Sequence, residues 1–136
     1  MTRASTAFFY HRYHIVWSTK YRLKVLHGDV RLRIRDIIRQ VCAEYGVEIV
    51  RGVLSSNHVQ MFVPVPPKLA ISDLVRKMKG RSSRRVQQEF IAVRKRFWGQ
   101  RFWGRGYYST TNGVITQDVV LQYLEKHIRD PTGISR

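Results

Sequence analysis

The stretch Asn57-His58-Val59-Gln60-Met61-Phe62-Val63 decides how the rest of this 136-residue chain is read. It is apolar and β-branched enough to be a buried strand, yet it carries two ligand-type side chains at i and i+2. Period 2 puts His58 and Gln60 on one face and points Val59, Met61 and Val63 into a core. A second stretch, Tyr123-Leu124-Glu125-Lys126-His127, lies in a helical pattern, where Tyr123 and His127 at i and i+4 share a face. Together the two stretches can bring two imidazoles, an amide oxygen and a phenol to one point. Such a cluster is a metal site with a nucleophile beside it.

Outward from that strand, the preceding segment Val47–Leu54 reads as another strand, with Gly52 as a bulge or close approach. Ser55-Ser56 is a tight polar connection, so the two strands form an antiparallel hairpin. Pro64-Val65-Pro66-Pro67 ends the second of them. Further out, Tyr10–Thr19 is a first strand, and Lys20–Gly28 a basic connection. Asp29 caps a helix with apolar positions Val30, Ile34, Ile37, Ile38, Val41 and Tyr45, stopped by Gly46. Ser72 caps a second helix with Ile71, Leu74, Val75, Met78, Val86 and Phe90 on its apolar side. Tyr107–Thr111 is a fourth strand. Asn112-Gly113 is a turn, and Thr116 opens a last helix that ends before Pro131.

The order β-α-β-β-α-β-α is the α+β, ferredoxin-like split βαβ arrangement, an antiparallel sheet with an additional C-terminal helix. Residues 1–136 are expected to form one domain, with the tyrosine helix at about 116–130. The sheet face that bears His58 and Gln60 needs a cover, which the last helix of this chain or of a partner can supply.

Charge narrows the partners. The chain has 25 Lys and Arg against 9 Asp and Glu, so its net charge is +16. Such an excess repels itself unless a polyanion is the partner. Nucleic acid leads, and an anionic membrane surface is the weaker reading. No apolar run is long enough to span a bilayer and no signal-peptide pattern opens the chain, so a cytoplasmic setting is expected. A single cysteine, Cys42, excludes an internal disulfide and a multi-cysteine zinc cluster.

The candidate DNA-binding set is Arg76, Lys77, Lys79, Arg81, Arg84 and Arg85 on the second helix, with Arg96, Arg101 and Arg105 beyond it. Glu89 is the one acid between Arg76 and Arg105. Phe97, Trp98, Phe102 and Trp103 interleave with these cations, as in single-strand binders that stack bases on aromatics. For any one of these four rings, closing the core under a loop is an equal alternative. Likewise, an isolated tyrosine on an amphipathic helix is more often packing than nucleophile, and an isolated strand histidine more often structural than a ligand. His11, His14 and His27 have no partner spacing and are read as structural.

NHVQMFV after a short hairpin, together with RYHIVWSTKYR, LVRKMKGRSS, FWGRGYYSTT and VLQYLEKH, resembles the TnpA-type single-tyrosine transposases of the HUH endonuclease superfamily. The resemblance spans essentially the whole chain. It implies a DNA transposase that cleaves and rejoins single-stranded DNA at insertion-sequence ends through a 5′-phosphotyrosine. Tyr123 is then the nucleophile, and His58, Gln60 and His127 hold a divalent metal ion, Mg²⁺ or Mn²⁺. It also implies DNA with subterminal hairpins and a homodimer whose sites are shared between chains.

The family pattern has two strand histidines and, commonly, a glutamine four residues after the tyrosine. Here Gln60 replaces the second histidine and His127 stands at the position four beyond. The donors are unchanged in kind, which reads as a ligand swap. The plainer alternative is a Gln60 hydrogen-bonded nearby and a His127 favoured by the helix dipole. The competing function on the same fold is a non-catalytic nucleic-acid binder.

Overall fold

The computed structural model describes residues 10–111; Asn112, Gly113, the helix expected from Thr116, Tyr123 and His127 lie outside the described residues. Four strands form one antiparallel sheet: β1 (His11–Ser18), β2 (Arg51–Leu54), β3 (His58–Val65) and β4 (Tyr108–Thr110). Their order across the sheet is β2-β3-β1-β4, the ferredoxin-like order expected from the sequence. Helices α1 (Gly28–Glu44) and α2 (Ile71–Glu89) connect β1 to β2 and β3 to β4, and a short α3 (Ile91–Arg96) follows α2. β1 and β3 pair along their full lengths, from His11 opposite Val65 to Ser18 opposite His58.

The alternation of β3 is the one anticipated. Val59, Met61, Val63 and Val65 are buried in the core, while His58, Gln60 and Phe62 are half-buried on the opposite face. Ile15 and Trp17 of β1 share the core with Ile34, Ile37, Ile38 and Val41 of α1 and Leu74, Val75, Met78 and Val86 of α2. Cys42 and Met78 meet across the two helices, sulfur to sulfur at 3.9 Å. Burial pushes the Cys42 thiol up to about 12, so it packs as an apolar group.

Several boundaries differ from the sequence reading, each for a local reason. Neither Asp29 nor Ser72 caps its helix: α1 begins after His27 and α2 after Ala70, with no side-chain cap at either. Asp29 instead sits in the first turn of α1, where a carboxylate still favours the helix dipole. Gly46 does stop α1. At φ +67 it closes the helix with Gly46 N–H on the Ala43 carbonyl (3.1 Å) and Val47 N–H on that of Cys42 (2.8 Å). This pair of bonds is the Schellman pattern, and Val47 is spent on it, which is why β2 starts only at Arg51.

Gly52 is not a bulge, because the β2–β3 register runs unbroken from Arg51 opposite Phe62 to Leu54 opposite Val59. β3 runs through Pro64 and ends at Val65, inside the Pro64–Pro67 run expected to end it. Phe62 turns its carbonyl toward β2, accepting from Val50 N–H at 3.1 Å. Pro64 has the same parity, so its missing N–H falls on the β2 side, beyond the last paired residue of that strand.

The aromatic loop after α3 is mostly core. Phe97, Phe102 and Trp103 are buried, with Phe102 packed on Phe97 at 4.9 Å and edge-on to Trp103 at 4.8 Å between ring centroids. Ser82 sits between Met78 and Val86 on the buried side of α2. Its hydroxyl donates to the Met78 carbonyl (2.6 Å) and accepts from Trp103 Nε1 (2.9 Å). Ser82→Ala therefore strands a buried indole N–H, and should cost about 1–3 kcal/mol in urea denaturation. An unchanged midpoint would show that the bond contributes nothing.

Candidate metal and nucleic-acid site

The face of the sheet opposite the two helices is built from every second residue of the central strands. Directly opposed residues in an antiparallel pair share a face. Ser18 therefore lies beside His58, Val16 beside Gln60, and His14 beside Phe62. His14, Val16 and Ser18 are buried. The His14 and Phe62 rings pack at 4.4 Å between centroids, in keeping with a structural His14.

His58 is the first residue of β3, held by the hairpin that precedes it. Ser55 N–H donates to the His58 carbonyl at 2.9 Å, and Thr19 N–H donates to the Asn57 carbonyl at 2.9 Å. The buried Asn57 side chain then reaches the imidazole, with Oδ1 2.9 Å from Nδ1. An amide oxygen only accepts, so Nδ1 carries the proton and Nε2 presents its lone pair. Burial, and secondarily the positive charge of Arg22, hold the His58 pKa below the ordinary histidine value. A neutral imidazole with a bonded Nδ1–H is the form that ligates metal.

Gln60 lies two residues on and on the same face; its amide makes no hydrogen bond among the described residues. His58 and Gln60 are thus two donors side by side. Among the described residues no group of three or more His, Cys, Asp or Glu could hold a metal. The described donors fit one edge of a coordination sphere, and the further position expected at His127 lies outside the described residues, as does Tyr123.

The expected cationic set is divided by the structure. Arg81 makes a two-pronged contact with Glu44 of α1 (2.6 and 2.9 Å), and Arg76 pairs with Asp73. Lys79 is half-buried: its ammonium donates to the Gly104 and Gly106 carbonyls at 2.9 and 2.8 Å. Burial, with the nearby charge of Arg101, lowers its pKa to about 8. These residues do not form one face. Arg76 and Lys79 line a groove of about 760 Å³ between α2 and the loop, together with Ser83, Gln87, Arg101 and Arg105, while Arg81 turns toward α1. Lys77, Arg84, Arg85 and Arg96 are exposed. Of the four interleaved aromatics only Trp98 is left in solvent, at 78% exposure.

Sequence reasoning missed Asn57 as the partner of His58, although the residue was in view, because nothing in one sequence says that adjacent side chains will bond. It missed Lys79 as a latch for the same reason.

The model of the family Transposase IS200 like matches residues 7–127. The chain belongs to this family of insertion-sequence transposases. It is 32% identical over 113 residues to the ISDra2 transposase TnpA of Deinococcus radiodurans, covering 83% of this chain and 81% of that one. It is also 32% identical over 118 residues to the transposase for insertion sequence element IS200 of Salmonella typhimurium, covering 85% and 78%. A crystal structure of a protein from Deinococcus radiodurans described as a transposase matches with TM-score 0.79 at 30% identity, covering 88% of this chain and 92% of that one. The structure of a REP-associated tyrosine transposase bound to a REP hairpin matches with TM-score 0.57 at 12% identity, covering 91% and 70%, a likeness of fold alone. No helix among the described residues is long and apolar enough to cross a membrane.

The divided cations sharpen one expectation. Arg84→Gln with Arg85→Gln removes two exposed charges without touching the Arg81–Glu44 pair. If both residues meet phosphates, the slope of log affinity for single-stranded DNA against log salt should flatten by about 1.4, at about 0.7 per contact. A filter-binding series with an unchanged slope would mean that this part of α2 is merely solvated.

Proposed function

We propose that this transposase cleaves and rejoins single-stranded DNA at insertion-sequence ends, with Tyr123 as nucleophile and a divalent metal ion held by His58, Gln60 and His127. The observation that carries the reading is the pairing of His58 and Gln60 on one face of the central strand. One has its tautomer held by Asn57 and the other has an amide oxygen uncommitted among the described residues. Imidazole and amide oxygen suit Mn²⁺, and Mg²⁺ once phosphate oxygens and waters complete the sphere. When bound, the metal supplies charge that polarises the phosphodiester.

The chain's own groups do the rest. The Tyr123 oxygen attacks phosphorus, an O–P bond forms, the P–O3′ bond breaks, and the 3′ oxygen leaves as a hydroxyl. The 5′-phosphotyrosine keeps the energy of the broken phosphodiester, so a second 3′ hydroxyl can reverse the reaction on another strand without ATP. The groove lined by Arg76, Arg101 and Arg105 and the exposed Arg84 and Arg85 is where the DNA backbone, including subterminal hairpins, would run. The homodimer reading places the strand ligands of one chain with the tyrosine of the other.

Incubation with labelled single-stranded element ends and Mn²⁺, followed by a denaturing gel, should give a covalent protein–DNA adduct. Tyr123→Phe should abolish the adduct while DNA binding persists; robust cleavage by that variant would sink the assignment, and no adduct from the unaltered chain would favour a binder.

The ligand swap makes its own demand. His127→Ala should cost as much metal-dependent cleavage as His58→Ala. The exchange Gln60→His with His127→Gln should keep more activity than His127→Gln alone. Normal cleavage by His127→Ala would show that the swap is wrong.

A further inference from the structure

Two buried polar atoms near the start of β3, one on Ser18 and one on Arg22, have no hydrogen-bond partner among the described residues. Ser18, directly opposite His58 in the β1–β3 ladder and fully buried, has a hydroxyl that makes no hydrogen bond. Arg22, whose charge reaches His58, has a buried Nε–H that likewise has no partner among the described residues. No carboxylate pairs with Arg22 among the described residues. Leaving such donors unsatisfied is costly, and a bound ligand is one way in which a buried orphan is satisfied. A third orphan, Trp17 Nε1, belongs to the other face of β1, where the residue packs in the core.

The backbone that carries Arg22 is also unusual. Tyr21 and Arg22 both stand at φ +57, a left-handed conformation that is costly for non-glycine residues and far rarer in tandem. Surrounding bonds hold it there. Arg22 N–H donates to the Thr19 carbonyl (3.0 Å), Thr19 Oγ1 donates to the Leu23 carbonyl (2.6 Å), and Thr19 N–H is tied to Asn57 (2.9 Å). The turn is thereby locked to the residue that orients His58.

We propose that Ser18 and Arg22 form a seat for the oxygens of a phosphodiester beside His58. This rests on the reading of His58 as part of the reacting centre and adds what holds the scissile group there. A hydroxyl donor and a guanidinium fork are complementary to the non-bridging oxygens of phosphate. The same contacts would offset the charge that develops on those oxygens as a nucleophile approaches. Ser18 and Arg22 are positioning residues: neither gains nor loses a covalent bond.

The test uses the full chain, inorganic phosphate as probe and the Arg22 Nε–H resonance as reporter, identified by its absence in Arg22→Lys. The resonance should shift saturably with phosphate while those of exposed arginines move little. Ser18→Ala should raise the half-saturation concentration about tenfold, the order of one hydrogen bond to a charged group. Its melting temperature should equal or exceed that of the unaltered chain, because removing an unpartnered hydroxyl breaks no bond; a structural serine would instead lower it. Arg22→Gln should lose phosphate binding in calorimetry. A flat Arg22 resonance, an equal shift of all arginines, or unchanged affinity in both variants overturns the proposal. Adduct formation on DNA is read separately, so failure of the cleavage reaction and failure of the phosphate seat are distinct results.

Discussion

The β1–β3 ladder is the constraint on which the remaining structure depends. Its eight pairs fix which side of each strand is core, and a slip of one residue would turn every side chain over. With Val59, Met61, Val63 and Val65 committed to the helices, His58 and Gln60 have no option but the other face. Ser18 follows from the same register, since it stands opposite His58. The core thus positions the candidate site without any residue of the site contributing to it.

Electrostatics follow a similar division of labour. Few acids are present, and several of them are used in ion pairs on the helices. Glu89 takes a fork of hydrogen bonds from Arg33, at 2.8 and 2.9 Å, and Glu44 takes one from Arg81. Both carboxylates are held below their ordinary pKa by those bonds. Exposed pairs of this kind add little stability. Their effect is to remove Arg33 and Arg81 from the free cationic surface, while Lys77, Arg84 and Arg85 of α2, the cations of α3 and Arg31 and Arg39 of α1 stay exposed. Lys79 is withdrawn too, as a peg that fixes the Gly104–Gly106 backbone.

Much of the fold was legible because period-2 alternation in β3 and period-3.6 alternation in both long helices are strong, and Gly46 is a clean stop. What was not legible depended on contacts between segments. Asp29 and Ser72 are good capping residues, yet neither caps, since each lies inside the first turn of its helix. That Pro64 itself stays inside the strand is possible because β2 stops short of it. Phe97, Phe102 and Trp103 read equally well as stacking platforms or core; burial chose core, and Trp98 alone kept the other option. At the candidate site the alternation of His58 and Gln60 could be read directly. The roles of Asn57, Ser18 and Arg22 could not, because they arise from a side-chain bond, a cross-strand register and a backbone conformation that carry no local signature.

The hairpin that carries the site has a further consequence, for the order in which the protein assembles. β2 and β3 are joined by only three residues, Ser55 to Asn57, so their pairing closes a very small loop. β1 must instead find β4 from the other end of the described chain, as in the pairing of His14 with Thr110. Local closure is fast and distant closure slow. The His58–Asn57 half of the centre can therefore take shape during synthesis, while the sheet still lacks its outer strand. The basic groove beside Gly104 and Gly106 becomes complete only when the last part of the described chain is laid down. A ribosome-bound intermediate would carry the closed hairpin with its Asn57–His58 bond before the groove beside Gly104 and Gly106 exists, so the two surfaces arise at different moments of synthesis.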